Sequence, residues 1–236
     1  PFFEALEFLR GFKLIDSEYY LNNSLKEGKN ILAEGAQGSL LDIDFGSYPF
    51  VTSSNTTIGG VCTGLGVPHS SIRKVIGIFK AYCTRVGSGP FPSELNDEMG
   101  EQLRKQGNEF GATTGRPRRT GWLDLPALHY TVMINGVNEL VMMKSDVLSG
   151  LEEVKVCTGY DVDGTVTEQI PFEIGHANIS PVYQSFTGWD EDLTKMRQFD
   201  ELPSSFQAYC KSVSDSVHCP ISIISVGPDR EETIRC

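Results

Sequence analysis

Apolar residues recur at helical spacing through the opening stretch, Phe2, Phe3, Leu6, Phe8, Leu9 and Phe12, and predict a helix through Leu9. A second amphipathic segment spans 18–25. The apolar run Asn30-Ile31-Leu32-Ala33 breaks into Glu34-Gly35-Ala36-Gln37-Gly38, the pattern of a buried strand ending in a glycine turn. From 42 to 66 the residues are small, polar and glycine-rich, and an ordered loop is expected there. Ser70 and Ser71 are placed to cap a segment leading into a strand over 75–82, which closes at Arg85-Val86-Gly87-Ser88-Gly89-Pro90. A charged helix is expected over 95–108, with carboxylates early and Arg104 and Lys105 late, as the helix dipole favours. Further along, 124–135 reads as helix, 139–144 and 153–160 as strands, 161–202 as irregular apart from short pieces, 206–217 as helix, and 221–226 as a last buried strand. Strands alternating with helices indicate an α/β fold around one sheet.

The 236 residues carry 20 Lys and Arg against 31 Asp and Glu, a net charge of −11. A nucleic-acid-coating or membrane-surface role is disfavoured, since both need a cationic field. Hydrophobic residues at 39% place the chain among globular proteins rather than disordered ones. Cys62, Cys83, Cys157, Cys210, Cys219 and Cys236 form no CxxC pair, so neither a zinc site nor a disulfide framework is expected, and a reducing, cytoplasmic setting is the simpler reading. No window approaches a membrane span. The chain opens at Pro1, inside an amphipathic pattern, as part of a longer protein would.

The chemistry concentrates in a few places. Gly111-Ala112-Thr113-Thr114-Gly115-Arg116-Pro117-Arg118-Arg119 is the densest positive charge in an acidic chain. A solvated loop is the plain reading, but threonine hydroxyls beside guanidinium forks favour an anion site for carboxylate or phosphate. Lys144-Ser145-Asp146 follows an apolar strand, placing Asp146 where α/β proteins bind ligands. An aspartate there can accept from both N1–H and the 2-amino group of guanine, whereas adenine leaves it unpaired. By itself the tripeptide is common. Ser225 to Arg230 supplies a second strand-end loop around Gly227, equally what any sharp turn would use. Gln37 has the donor and acceptor to read a keto or amide edge, or to cap loop amides if buried. His69, His129, His176 and His218 share no spacing and are read as structural. No GxxxxGK[ST], GxSxG or HExxH motif occurs.

Together and in order, Glu34 to Gly38, Val51 to Asn55, Ala81 to Pro92, Gly111 to Asp124, Lys144 to Leu148 and Val226 to Arg230 resemble the adenylosuccinate synthetase family. The family consists of GTP-dependent ligases that join IMP and L-aspartate in AMP synthesis. The resemblance implies a large α/β domain with a central, mostly parallel sheet flanked by helices. It also implies IMP contacts at Gln37, Thr52, Val86 and Arg116, aspartate contacts at Thr113, Thr114, Arg116 and Arg118, and GTP contacts at Lys144, Asp146, Ser225 and Gly227.

The family's phosphate loop, with its general-base aspartate, a nearby general-acid histidine and the Mg²⁺ site, has no counterpart here. Nor does an amino-terminal IMP phosphate site, or an arginine donated across the family's homodimer. No catalytic or metal residue is therefore assigned in this chain. Residues 1–236 are expected to be the carboxyl-terminal part of one synthetase domain, incomplete on its amino-terminal side, with an exposed sheet edge and apolar patches, and inactive alone. The rival of another class is a non-catalytic purine-nucleotide-binding or regulatory module. A GTPase switch explains only Lys144 to Asp146.

Overall fold

The computed structural model describes residues 1–175 and 178–236, so His176 lies outside the described residues. The helices are α1 (Phe2–Arg10), α2 (Ser17–Lys26), α3 (Gly59–Leu65), α4 (Glu98–Gln106), α5 (Leu125–Asn135) and α6 (Ser204–Val217). The strands are β1 (Ile76–Lys80), β2 (Cys83–Arg85), β3 (Arg119–Gly121), β4 (Leu123–Asp124), β5 (Glu139–Met143), β6 (Leu151–Val162), β7 (Thr165–Thr167), β8 (Ile179–Trp189), β9 (Ile221–Ser225) and β10 (Thr233–Arg235).

The central sheet runs β1-β5-β9-β10, with β1, β5 and β9 parallel and β10 antiparallel. This is the α/β architecture expected from the sequence. Its edge strand β1 leaves Ile76 and Ile78 exposed, an apolar edge of the kind that was anticipated. The expectation of a single sheet is corrected. A second sheet, β4-β6-β7 with β8 on the other side of β6, is mainly antiparallel.

Local chemistry explains the helix ends. Asp97 Oδ1 accepts from Gly100 N at 3.0 Å and starts α4 at Glu98, later than the charge pattern alone suggested. Asp124 caps α5 by accepting from Ala127 N at 3.0 Å and also accepts from Tyr160 OH at 2.7 Å, pinning that helix to β6. Along α6, Phe206, Tyr209, Cys210, Val213 and Val217 are buried at spacings of three, one, three and four residues, the stripe of a core-facing helix. They join Trp189, Leu140, Met142, Val154, Val156 and Ile224 in one core.

Two sequence expectations fail. The run Asn30 to Ala33 forms no strand, and Leu32 is 90% exposed, because among the described residues it has no strand beside it and apolar character alone does not make a ladder. Much of 161–202 is regular: β8 is eleven residues long and pairs antiparallel with β6. Its Pro181 is tolerated because, among the described residues, β8 pairs only with β6 and so lies at a sheet edge.

Candidate functional site

The site residues lie on loops, several of which are tied to one another by side-chain hydrogen bonds. Gln37 stands at the turn, in left-handed conformation with φ 63°, and is exposed rather than buried as a loop cap. The next residue, Gly38, accepts from Thr56 Oγ1 at 2.7 Å. Asp42 organises the loop between them. Its carboxylate is fully buried and accepts from the backbone amides of Asp44, Phe45, Thr56 and Thr57 at 2.7–3.1 Å, and from Thr57 Oγ1 at 3.2 Å. Burial by itself would raise its pKa, but those amides overrule it and hold the group at about 2. The Thr52 hydroxyl turns back onto Leu41 O at 3.0 Å.

Arg85 then ties this loop to the one bearing Val86, which is 73% exposed. Its guanidinium donates to Ser88 O, Ser47 Oγ and Phe50 O. Arg119 fastens the other side of the Val86 loop, donating to Gly87 O at 3.1 Å and Gly89 O at 2.9 Å, while Nε and Nη2 grip Glu94 at 2.7 and 2.5 Å. Of the three clustered arginines, Arg119 is thus committed to structure. Arg116, Thr113 and Thr114 are exposed, on a tight loop closed by Gly115 N to Gly111 O at 2.8 Å and Gly111 N to Arg116 O at 2.9 Å.

Arg118 is the intermediate case. Its Nη1 donates to Glu109 Oε2 at 2.7 Å, while its buried Nε has no protein partner. Glu109, which the sequence did not single out, is fully buried and also accepts from Lys80 Nζ at 2.7 Å and Tyr82 OH at 2.6 Å, with Lys144 Nζ at 3.6 Å. Burial pushes its pKa up, but the hydrogen bonds from Lys80, Tyr82 and Arg118 win and hold it at about 2. Burial, with the nearby Arg118 and Lys144 charges, brings Lys80 below its usual value despite Glu109. Nothing in the stretch Asn108-Glu109-Phe110 signals this role, because three of the four partners lie 27 to 35 residues away.

At the carboxyl ends of the parallel neighbours β5 and β9 stand the other candidates. Lys144 adopts a left-handed turn, φ 60°, with its amine on Gly107 O. Asp146 is half-buried; burial raises its pKa and the Glu232 carboxylate adds to that, against its own backbone amide and Lys144. Ser225 is buried and donates to Gly227 O at 2.9 Å. Glu232 closes the same turn, accepting from Asp229 N at 2.9 Å, so close to Gly227 that any side chain there would collide with its carboxylate. The structure thus sets Arg118 and Lys144 on the same carboxylate of Glu109, Asp146 and Gly227 both near Glu232, and the Thr52 loop against the Val86 loop through Arg85.

A hollow of about 850 Å³ lies along α4, lined by Leu95, Asp97, Glu101 and Arg104 among others, and holds none of these residues. His69, His129 and His218 are exposed and none belongs to the network. Among the described residues no three His, Cys, Asp or Glu side chains converge as a metal site, and no helix is long and apolar enough to cross a membrane.

The family model for adenylosuccinate synthetase matches residues 3–234. Adenylosuccinate synthetases of Parabacteroides distasonis and Christiangramia forsetii are 60% and 59% identical, over 98% and 99% of this chain. The solved structure of a fully ligated adenylosuccinate synthetase from Plasmodium falciparum superposes with a TM-score of 0.91 at 44% identity, covering 94% of this chain and 54% of that one. The chain spans about half the length of the curated relatives it matches, 54% of the P. distasonis protein. With the family model spanning nearly all of it and the fold superposing so closely, the chain belongs to the adenylosuccinate synthetase family.

Proposed function

We propose that these 236 residues supply the recognition loops of a GTP-dependent ligase that converts IMP and L-aspartate to adenylosuccinate, GDP and phosphate. The observation that carries this reading is the placement of Asp146 beside Ser225 and Gly227, at the ends of adjacent parallel strands. A half-buried carboxylate there accepts the N1–H and 2-amino group of guanine, and the two hydrogen bonds compensate the burial that raises its pKa. The backbone of the Gly227 turn closes the pocket, and the stem of Lys144 covers the base face.

On the other side of the network, Thr113, Thr114, Arg116 and Arg118 bind the two carboxylates of L-aspartate. Guanidinium forks and hydroxyls match that chemistry, and Arg118 Nε retains an unused donor. Gln37, Thr52, Val86 and Arg116 hold IMP, with Gln37 exposed on its turn to read the purine edge. In the reaction so read, O6 of IMP takes the γ-phosphoryl group with release of GDP, and the amine of aspartate then attacks C6, the C6–O6 bond breaking as phosphate leaves. Mg²⁺ bound outside these residues would offset the phosphate charge. This chain's residues bind and orient the three substrates. The proton transfers fall to groups it does not contain, so the chain alone is inactive, and the working form is a cytoplasmic homodimer of the longer protein.

Calorimetric titration of the chain with GDP and with IMP, repeated with Asp146→Asn, tests the reading. GDP should bind, and Asp146→Asn should weaken it about a hundredfold, because the amide loses the charge and one of the two acceptors and sets its NH₂ against a guanine donor. GDP affinity that the substitution leaves unchanged overturns the guanine assignment. Failure to bind either nucleotide would show that the loops recognise nothing without the rest of the protein. Adenylosuccinate formed by the purified chain would refute its inactivity alone.

A further inference from the structure

Glu109 is placed to do more than fill a gap in the core. It receives Lys80 and Tyr82 from the end of β1 and just beyond it, Arg118 from before β3, and the charge of Lys144 from after β5, three separate stretches. Gly107 makes the approach of Tyr82 possible, since any Cβ at that position would collide with the tyrosine hydroxyl. The backbone is joined as well. Arg118 N donates to Glu109 O at 2.9 Å, and Arg104 Nε donates to Arg118 O at 2.7 Å.

Three cations, Lys80, Arg118 and Lys144, thus share one carboxylate in a chain of net charge −11. The carboxylate cannot satisfy them all. Its two oxygens are divided, Oε1 serving Lys80, Tyr82 and Lys144 and Oε2 serving Arg118, so movement of Arg118 alters the field at Lys144 and the reverse.

We propose that Glu109 is a positioning residue that couples the arginine loop to Lys144, so that occupation of one substrate's site sets the geometry of the other's. An incoming dicarboxylate would engage Arg118, whose Nε is still unpaired, and loosen its hold on Oε2. Glu109 would then turn more fully to Lys80 and Lys144. The functional meaning rests on the reading of these loops as dicarboxylate and guanine sites, whereas the coupling itself does not.

Hydrogen exchange read by mass spectrometry on this chain tests the coupling, with peptides from β6 and α6 as internal reference. Glu109→Gln should speed exchange in both 111–119 and 144–148 tenfold or more beyond any acceleration that it causes in β6 and α6. Acceleration in only one of the two segments overturns the proposal. Lys144→Met covers the case in which Glu109→Gln loosens the whole fold. The amine of Lys144 engages Gly107 and Glu109, so its removal should speed exchange in 111–119 several-fold through Glu109, and an unchanged 111–119 overturns the proposal.

A ligand arm reads what a purely structural ion cluster would not change. Saturating GDP should tighten succinate binding several-fold in the wild-type chain and not at all in Glu109→Gln, and a coupling that survives the substitution overturns the proposal. A wild-type chain that binds neither ligand would overturn the functional reading of the loops. The exchange result would still decide the coupling.

Discussion

Asp42 and Glu109 are both fully buried carboxylates, and both are held near pKa 2, yet they hold their surroundings in different ways. Asp42 is gripped by four backbone amides from residues 2 to 15 positions along the chain. Its donors are neutral, fixed by the loop's path, and without rotamers of their own. Glu109 is gripped by side chains, three of them charged, on long stems that reach partly exposed surface. The first arrangement fixes a shape. The second can exchange partners, which suits a loop that must accept a charged ligand.

The comparison is broken most sharply by substitution. Asp42→Ala orphans four amides at once and should cost about 4 kcal/mol in urea unfolding, with protection lost at residues 44, 45, 56 and 57. An effect below 1 kcal/mol would mean that water replaces the carboxylate without penalty. Glu109→Gln keeps an oxygen to accept hydrogen bonds but leaves three cations uncompensated, and should cost about 3 kcal/mol in the same measurement.

Acid sharpens the difference in another way. Both groups titrate lower when folded than when unfolded, so their stabilisation is complete above the ordinary values of 3.8 and 4.5 and is lost as pH falls towards 2. The depression at Glu109 corresponds to about 3 kcal/mol and that at Asp42 to about 2. Urea titrations stepped between pH 5 and pH 2 should therefore show a shallower fall for Glu109→Gln than for wild type. Equal slopes would show that folding does not lower the Glu109 pKa. Tyr82→Phe removes one of the Glu109 donors and should cost about 1 kcal/mol.

The smallest expected effect is that of salt. Raising ionic strength from 0.1 to 1 M shortens the screening length to roughly 3 Å, which should weaken the partly exposed Lys80, Arg118 and Lys144 contacts by a few tenths of a kcal/mol. Exchange would rise slightly in 111–119 and stay constant in 44–57. A larger response in 44–57 would reverse the assignment of which loop charge holds.

Much of the fold is legible in sequence wherever a segment carries its own reason for its structure. The α6 stripe and the apolar runs of β5 and β9 are of this kind, each settled by residues within a few positions. β8 was not legible because among the described residues its only ladder partner is β6, some 17 to 38 positions earlier at the paired residues, and its Pro181 reads locally as a breaker. The run Ile31-Leu32 failed in the opposite sense: its apolar character was plain, but a strand exists only against a neighbour.

The same division runs through the site. Residue type and order singled out the arginine loop, Lys144-Ser145-Asp146 and the Gly227 turn as candidates, because a guanidinium or carboxylate keeps its chemistry in any fold. Only the tertiary structure decided that Arg119 is committed to Glu94 while Arg118 is shared with Glu109. Three adjacent cations look alike in sequence. Which of them is neutralised depends on carboxylates brought in by elements that the chain places beside them only on folding.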